Sequence, residues 1–284
     1  VGVYPSPFVH QINALEAASV GKNLFVATGT GSGKTEFVKY LASHTKENEK
    51  IITIEDTLEL HLDKIFPHRD IVAMKTNNVA SYTDVLVTCM RQNPKWILLS
   101  EVRSAEAVTA VRNSISSGHN ILSTIHADKA SAIPYRLYSL LETDIDVDQF
   151  LTTIYRYIQL GVHIKAYYSK EYGKFHREVD EVVEFYVDEN NKPITHILYQ
   201  KTFGKKPVQN MPSENLLNYL ENQNIDISNL LTNSDSMKNM DDELNKLDSI
   251  NSIPYKENNF NTNTVQIQKD DLSLPKIPFP NEVL

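Results

Sequence analysis

Leu24-Phe25-Val26-Ala27-Thr28-Gly29-Thr30-Gly31-Ser32-Gly33-Lys34-Thr35-Glu36-Phe37-Val38 reads as strand, turn and helix in succession. Leu24 to Ala27 form a short apolar run of the kind a buried parallel strand needs. Phe37, Val38, Leu41 and Ala42 recur at helical spacing. Between them, Gly29 to Thr35 satisfy the pattern G-x-x-x-x-G-K-[ST], with a third glycine at Gly31. Glycines let the backbone curl so that several N–H groups face one phosphate, and the helix N-terminus adds partial positive charge. The expected nucleotide contacts are Gly29, Thr30, Gly31, Ser32, Gly33, Lys34 and Thr35, with Glu36 next in line. Lys34 suits the β- and γ-phosphates, and the Thr35 hydroxyl suits Mg²⁺. The implied cofactors are ATP and Mg²⁺.

Working outward, strands and helices alternate. Residues 1–20 read as a lead-in with a helix. Ile51 to Ile54 form a second buried strand ending in Glu55-Asp56, and a short strand follows at Ile71 to Met74. Residues 81–92 read as a helix stopped by Asn93-Pro94. Trp96 to Leu99 form a strand ending in Ser100-Glu101, and residues 104–117 a helix closed by Gly118. Ile121 to Ile125 lead to His126, and helices are expected at 128–142 and 146–155. Residues 157–168, 178–187 and 194–199 read as β-structure. The pattern predicts an α/β fold with a mainly parallel sheet, a β-rich C-terminal part and a tail. The domain reading is a lead-in at 1–20, a nucleotide-binding core at 21–165, a β-rich part at 166–203 and a tail at 204–284.

The tail differs in kind. Residues 204–284 hold fifteen Asn and seven Lys, no Arg, and twelve acidic residues. Such composition buries little apolar surface and predicts disorder, apart from possible helices at 214–222 and 240–250. The whole chain of 284 residues has net charge -8, which argues against nucleic acid as a partner. No apolar run approaches the ~18 residues of a membrane span. The single cysteine, Cys89, excludes an internal disulfide, reads as a core thiol and fits a reducing, cytosolic setting.

In a parallel sheet, ligands bind at the C-terminal strand ends. Four such ends deliver the phosphate loop, Glu55-Asp56, Glu101 and His126. Hydrolysis of a nucleotide needs a carboxylate for the metal, a base or water-positioner, and cations for developing charge. Glu101 follows four apolar strand residues and is the expected metal carboxylate, alongside Thr35. Glu55 is the expected general base, and Asp56 stays open between that role and a helix N-cap. His126 suits the γ-phosphate. His119 is either a further nucleotide contact or a linker residue. Arg91 and Arg103 could serve phosphates in their own subunit or in a neighbour's.

Taken together, these motifs resemble the secretion and pilus-assembly ATPases of type II and type IV secretion, type IV pili and Flp/Tad pili. The resemblance rests on Gly29 to Thr35, the acidic box Thr53-Ile54-Glu55-Asp56-Thr57-Leu58-Glu59-Leu60, the stretch Ile97 to Ala107, and the histidine box Gly118 to Asp128. Cys89-Met90-Arg91-Gln92-Asn93-Pro94 and Tyr135-Arg136-Leu137 also look like the family's, so it covers roughly residues 10–165. It implies a RecA-like core and a hexameric ring with nucleotide between subunits. It implies Glu55 as base, Glu101 near Mg²⁺, His126 at the γ-phosphate, and arginines completing a neighbour's site. It further implies a motor at the cytoplasmic face of the inner membrane, working through platform proteins without spanning the bilayer. Ser100 stands where the family has Gly, Glu36 where it often has Thr, and only residues 1–20 precede the first strand where it carries an N-terminal domain.

Two other readings stand beside it. His10 to Ala17 and Gly21 to Glu36 look like the start of a superfamily-2 helicase, in which Gln11 would read adenine. That family needs Asp-Glu-x-His or Asp-Glu-x-Asp, and this chain has Ser100-Glu101-Val102-Arg103. The third reading is a non-catalytic, nucleotide-gated scaffold.

Overall fold

Ile51-Ile52-Thr53-Ile54-Glu55 is buried at every position, so this strand has neighbours on both faces and both edges. Asn120 to Ile125 is buried throughout as well. Continuous apolar runs of this kind belong to the middle of a parallel sheet covered by helices on both sides. The computed structural model describes residues 23–28, 33–77, 80–115, 117–141, 145–170, 173–202 and 205–222, all within one compact unit. The lead-in 1–20, the loop residues Gly29 to Ser32 and the segment 240–250 lie outside the described residues.

The strands are β1 (Leu24–Thr28), β2 (Ile51–Glu55), β3 (Ile71–Lys75), β4 (Trp96–Val102), β5 (Asn120–Ile125), β6 (Leu160–Ser169), β7 (Lys174–Val187), β8 (Pro193–Gln200) and β9 (Val208–Gln209). They form one nine-stranded sheet in the order β3-β2-β4-β5-β1-β6-β7-β8-β9. From β3 to β6 all pairings are parallel; from β6 to β9 they are antiparallel. The expected boundary at 165/166 falls inside β6, so the β-rich part continues the same sheet.

The helices are α1 (Lys34–Ser43), α2 (Leu62–Ile65), α3 (Tyr82–Met90), α4 (Ala105–Ile115), α5 (Ile133–Ser139), α6 (Val147–Tyr157) and α7 (Glu214–Asn222). Side chains alternate across the sheet. Phe25, Ile52, Ile97 and Ile121 enter one core with α3, α4 and α6, while Leu24, Ile51, Leu98 and Leu122 enter the other with α1. Helix ends follow local chemistry. Ser81 and Asp84 form a reciprocal capping box on α3. Asn93 (φ 50°) and Gly118 (φ 85°) take the left-handed conformation that ends the helical segments before β4 and β5.

Two expectations are corrected. The long helix at 128–142 is a 3₁₀ turn at Ala130–Ala132 followed by the shorter α5, because Pro134 lacks an N–H and fits only a first turn. The disorder expected from residue 204 on does not hold through residue 222, while the helix expected at 214–222 is present as α7. Strand β9 pairs with β8, and α7 buries Leu216 and Leu220 against Val182 and Tyr199. The amphipathic spacing of Leu216, Leu217 and Leu220 outweighs the polar composition around it.

Candidate nucleotide site

Because β1, β2, β4 and β5 are parallel, their C-terminal ends share one rim. Gly33 caps α1 with φ 86° and ψ 20°, which a side chain adopts only under strain, and Lys34 and Thr35 open the helix. The N–H groups of its first turn have no partner within the helix and face the rim at the positive end of the dipole.

Lys34 Nζ donates to Glu101 Oε2 at 3.0 Å and lies 2.8 Å from His126 Nε2. His126 Nε2 is 3.2 Å from Glu101 Oε1, which closes the triangle. The Lys34 and Glu101 side chains are mostly buried, while His126 is more open. Glu101 stands at the irregular register between Leu99 and Val102, where the ladder to β5 is broken. That break turns the carboxylate out of the sheet toward α1.

Thr35 Oγ1 lies 3.5 Å from Glu59 Oε2. A hydroxyl and two carboxylates, Thr35, Glu101 and Glu59, are hard oxygen donors of the kind Mg²⁺ takes. The donor set and the helix N-terminus therefore fit a magnesium nucleotide. Gly29 to Ser32 lie outside the described residues. Glu36 is exposed and pairs with Lys39 at 2.8 Å, one turn along the helix.

Glu55 is fully buried. Its Oε1 accepts from Thr53 Oγ1 at 3.1 Å, and its Oε2 accepts from the backbone N–H groups of Glu59 and Leu60 at 2.7 and 3.0 Å. A base must offer a lone pair to water. In this arrangement Glu55 offers its lone pairs to the loop that presents Glu59. Asp56 caps no helix: it pairs with Arg103, from the end of β4. Asp56 also lines a cavity of about 580 Å³ with Lys75, Thr76, Tyr82 and Glu106, which Lys34 does not line.

The pairing of His119 with the nucleotide is corrected. His119 precedes β5, and its Nδ1 lies 2.8 Å from the Pro94 carbonyl oxygen. The six residues of β5 separate it from His126 by about 20 Å, so the two histidines occupy opposite rims. Arg91 is the exposed C-cap residue of α3, ahead of β4, and belongs to the same far rim. Of the two candidate arginines, only Arg103 stands at the nucleotide rim of its own chain.

Three further residues join this rim. Glu59 lies inside the acidic box, four residues after Glu55. Arg136 donates from Nε to the His126 carbonyl oxygen at 3.1 Å and holds the loop after β5. Arg177 of β7 lies against Gly33: a Cβ placed on that glycine would meet Arg177 Cδ at 3.1 Å. The first two stand within motifs legible in the sequence. Nothing in the sequence signals Arg177, because the register of an antiparallel pair brings it there.

Comparison with known proteins identifies relatives of this chain. The family profile described as "Type II/IV secretion system protein" matches residues 10–241. The type IV secretion system protein VirB11 of Bartonella quintana is 33% identical over 193 residues, covering 64% of this chain and 50% of the relative. The type IV secretion system protein PtlH of Bordetella pertussis is 34% identical over 125 residues, 43% of this chain and 37% of the relative. The crystal structure of the VirB11 ATPase of Brucella suis, in complex with sulphate, superposes with a TM-score of 0.53 at 27% identity, over 66% of this chain and 57% of that one. The chain thus spans about half or less of these curated relatives' length. Among the described residues, no helix is long and apolar enough to cross a membrane. With a RecA-like sheet, a phosphate-loop lysine held at Glu101 and a family match across most of its length, this chain belongs to the type II/IV secretion system protein family.

Proposed function

We propose that this chain binds ATP with Mg²⁺ and hydrolyses it, as the motor core of a secretion, pilus-assembly or conjugative-transfer machine. The observation that carries the reading is the convergence of Lys34, Glu101 and His126 within 3.2 Å at the start of α1. Lys34 moves from Glu101 to the nucleotide phosphates. Glu101, so released, and Thr35 would hold Mg²⁺, which would neutralise phosphate charge. Glu59 or Glu55 orients the attacking water, and His126 reports the γ-phosphate to β5 and, through Arg136, to α5. The VirB11 and PtlH relatives support this reading over a helicase or a scaffold.

The same reading extends to a hexameric ring in which Arg103, at the rim edge, serves an adjoining subunit. Membrane platform proteins at the cytoplasmic face are the partners. The test is phosphate release from ATP by the full chain, with Lys34→Ala as control. Mg²⁺-dependent turnover in the wild type and none in the variant is the expected result. Equal rates in both would remove the assignment.

A further inference from the structure

We propose that Arg177 binds the phosphates of the nucleotide held by its own subunit, an inference that rests on the ATP reading above. Strand β6 follows β1 in parallel register as far as Thr28 opposite Ile164. Beyond that point β1 ends, and β6 runs on for Lys165 to Ser169 with β7 beside it. Five strand residues reach about 16 Å, so the β6–β7 hairpin overhangs the nucleotide rim. Arg177 sits in this overhang, opposite Ala166, and is exposed. It is two residues from Val179, which packs on the core that α1 covers, so period-two alternation directs Arg177 to the α1 face.

The contact bears this out. A Cβ on Gly33 would lie 3.1 Å from Arg177 Cδ and 3.4 Å from its Nε. The arginine stem crosses the last glycine of the phosphate loop, at the residue whose successors offer the first free N–H groups of α1. A guanidinium there joins the anion-binding end of a helix dipole. Its planar fork matches phosphate oxygens better than an ammonium does. The strand ladder on β6 fixes the arginine's backbone, so only its side chain is left to order when phosphate arrives.

The test uses the full chain and Arg177→Gln, with Arg177→Lys as a second variant that keeps charge and stem. ADP binding is measured by calorimetry, with inorganic tripolyphosphate and adenosine as competitors. Charge-assisted hydrogen bonds of this kind predict ADP and tripolyphosphate affinities about 10- to 100-fold weaker in Arg177→Gln, with adenosine unchanged. Arg177→Lys falls between. Equal ADP affinity in all three proteins, tighter binding in Arg177→Gln, or an equal loss for adenosine would overturn the proposal while wild-type ADP binding upholds the ATP reading. Failure of the wild type to bind ADP would overturn both.

Discussion

Lys34 Nζ and Glu101 Oε2 stand 3.0 Å apart, so the phosphate-loop cation and the carboxylate proposed for the metal neutralise each other at the start of α1. Each is a competitor for the other's proposed ligand. Nucleotide and metal together replace one ion pair by two, which favours joint binding over either alone. Both groups keep some solvent contact, so the pair itself is worth no more than a partly screened salt bridge.

Removing the carboxylate separates the two roles. Glu101→Gln releases Lys34, so metal-free ADP affinity rises, by up to about fivefold for a pair of this exposure. The extra affinity conferred by Mg²⁺ falls in the same variant. Calorimetry with and without Mg²⁺ measures both, and an unchanged Mg²⁺ increment would take Glu101 out of the metal site.

Glu55 and Glu59 differ in what they touch, and the amide variants distinguish them. In Glu55→Gln the amide oxygen keeps the two backbone N–H groups that Oε2 accepts, and the new NH₂ group faces the Thr53 hydroxyl, which in the native protein donates to Oε1. A buried donor left without an acceptor costs about 1–3 kcal/mol, seen as a lower melting temperature. Glu59→Gln leaves stability unchanged and lowers hydrolysis, by about 10²–10⁴-fold if Glu59 is the base. A Glu55→Gln protein with native stability and no turnover would instead make Glu55 the base.

Helix α7 is part of the folded unit. Leu220 of α7 is 2% exposed, and Leu216 is buried beside it. Leu220→Ala is expected to cost about 2–5 kcal/mol. Truncation after residue 203 lowers the melting temperature, whereas truncation after residue 222 spares this contact. Thermal unfolding of the two truncations decides the point.

Burial pushes the Cys89 thiol up to about 12, from 9.0 for a free thiol. The folded protein therefore keeps the proton that the unfolded chain releases. Stability from this site is complete below pH 9.0 and is lost as pH rises toward about 12. Cys89 resists alkylation at pH 8 until the chain unfolds. Fast labelling of native protein by iodoacetamide would contradict this.

Turnover per subunit should rise with protein concentration as a ring assembles. Arg103→Ala mixed with Lys34→Ala should regain activity, because mixed interfaces pair an intact loop with an intact arginine. An arginine acting in trans is worth about 10³–10⁵ in rate. Flat specific activity and an inert mixture would exclude trans action by Arg103.

Local chemistry in the sequence was enough for the strand–loop–helix unit around Lys34, the alternation that makes a parallel sheet, and the assembly of Glu101 and His126 on one rim. Those features depend on spacing along the chain and on the rule that parallel strands end together. Tertiary structure decided what spacing cannot express. Glu55 faces inward because the loop at Glu59 and Leu60 needs an acceptor, while Glu59 reaches Thr35. His119 and His126 look alike in the sequence, yet the length of β5 puts them on opposite rims. Leu216 and Leu220 find a core only because β7 and β8 extend the sheet far enough to offer one. Arg177 meets Gly33, 144 positions away in the chain, through a strand register that no local pattern records.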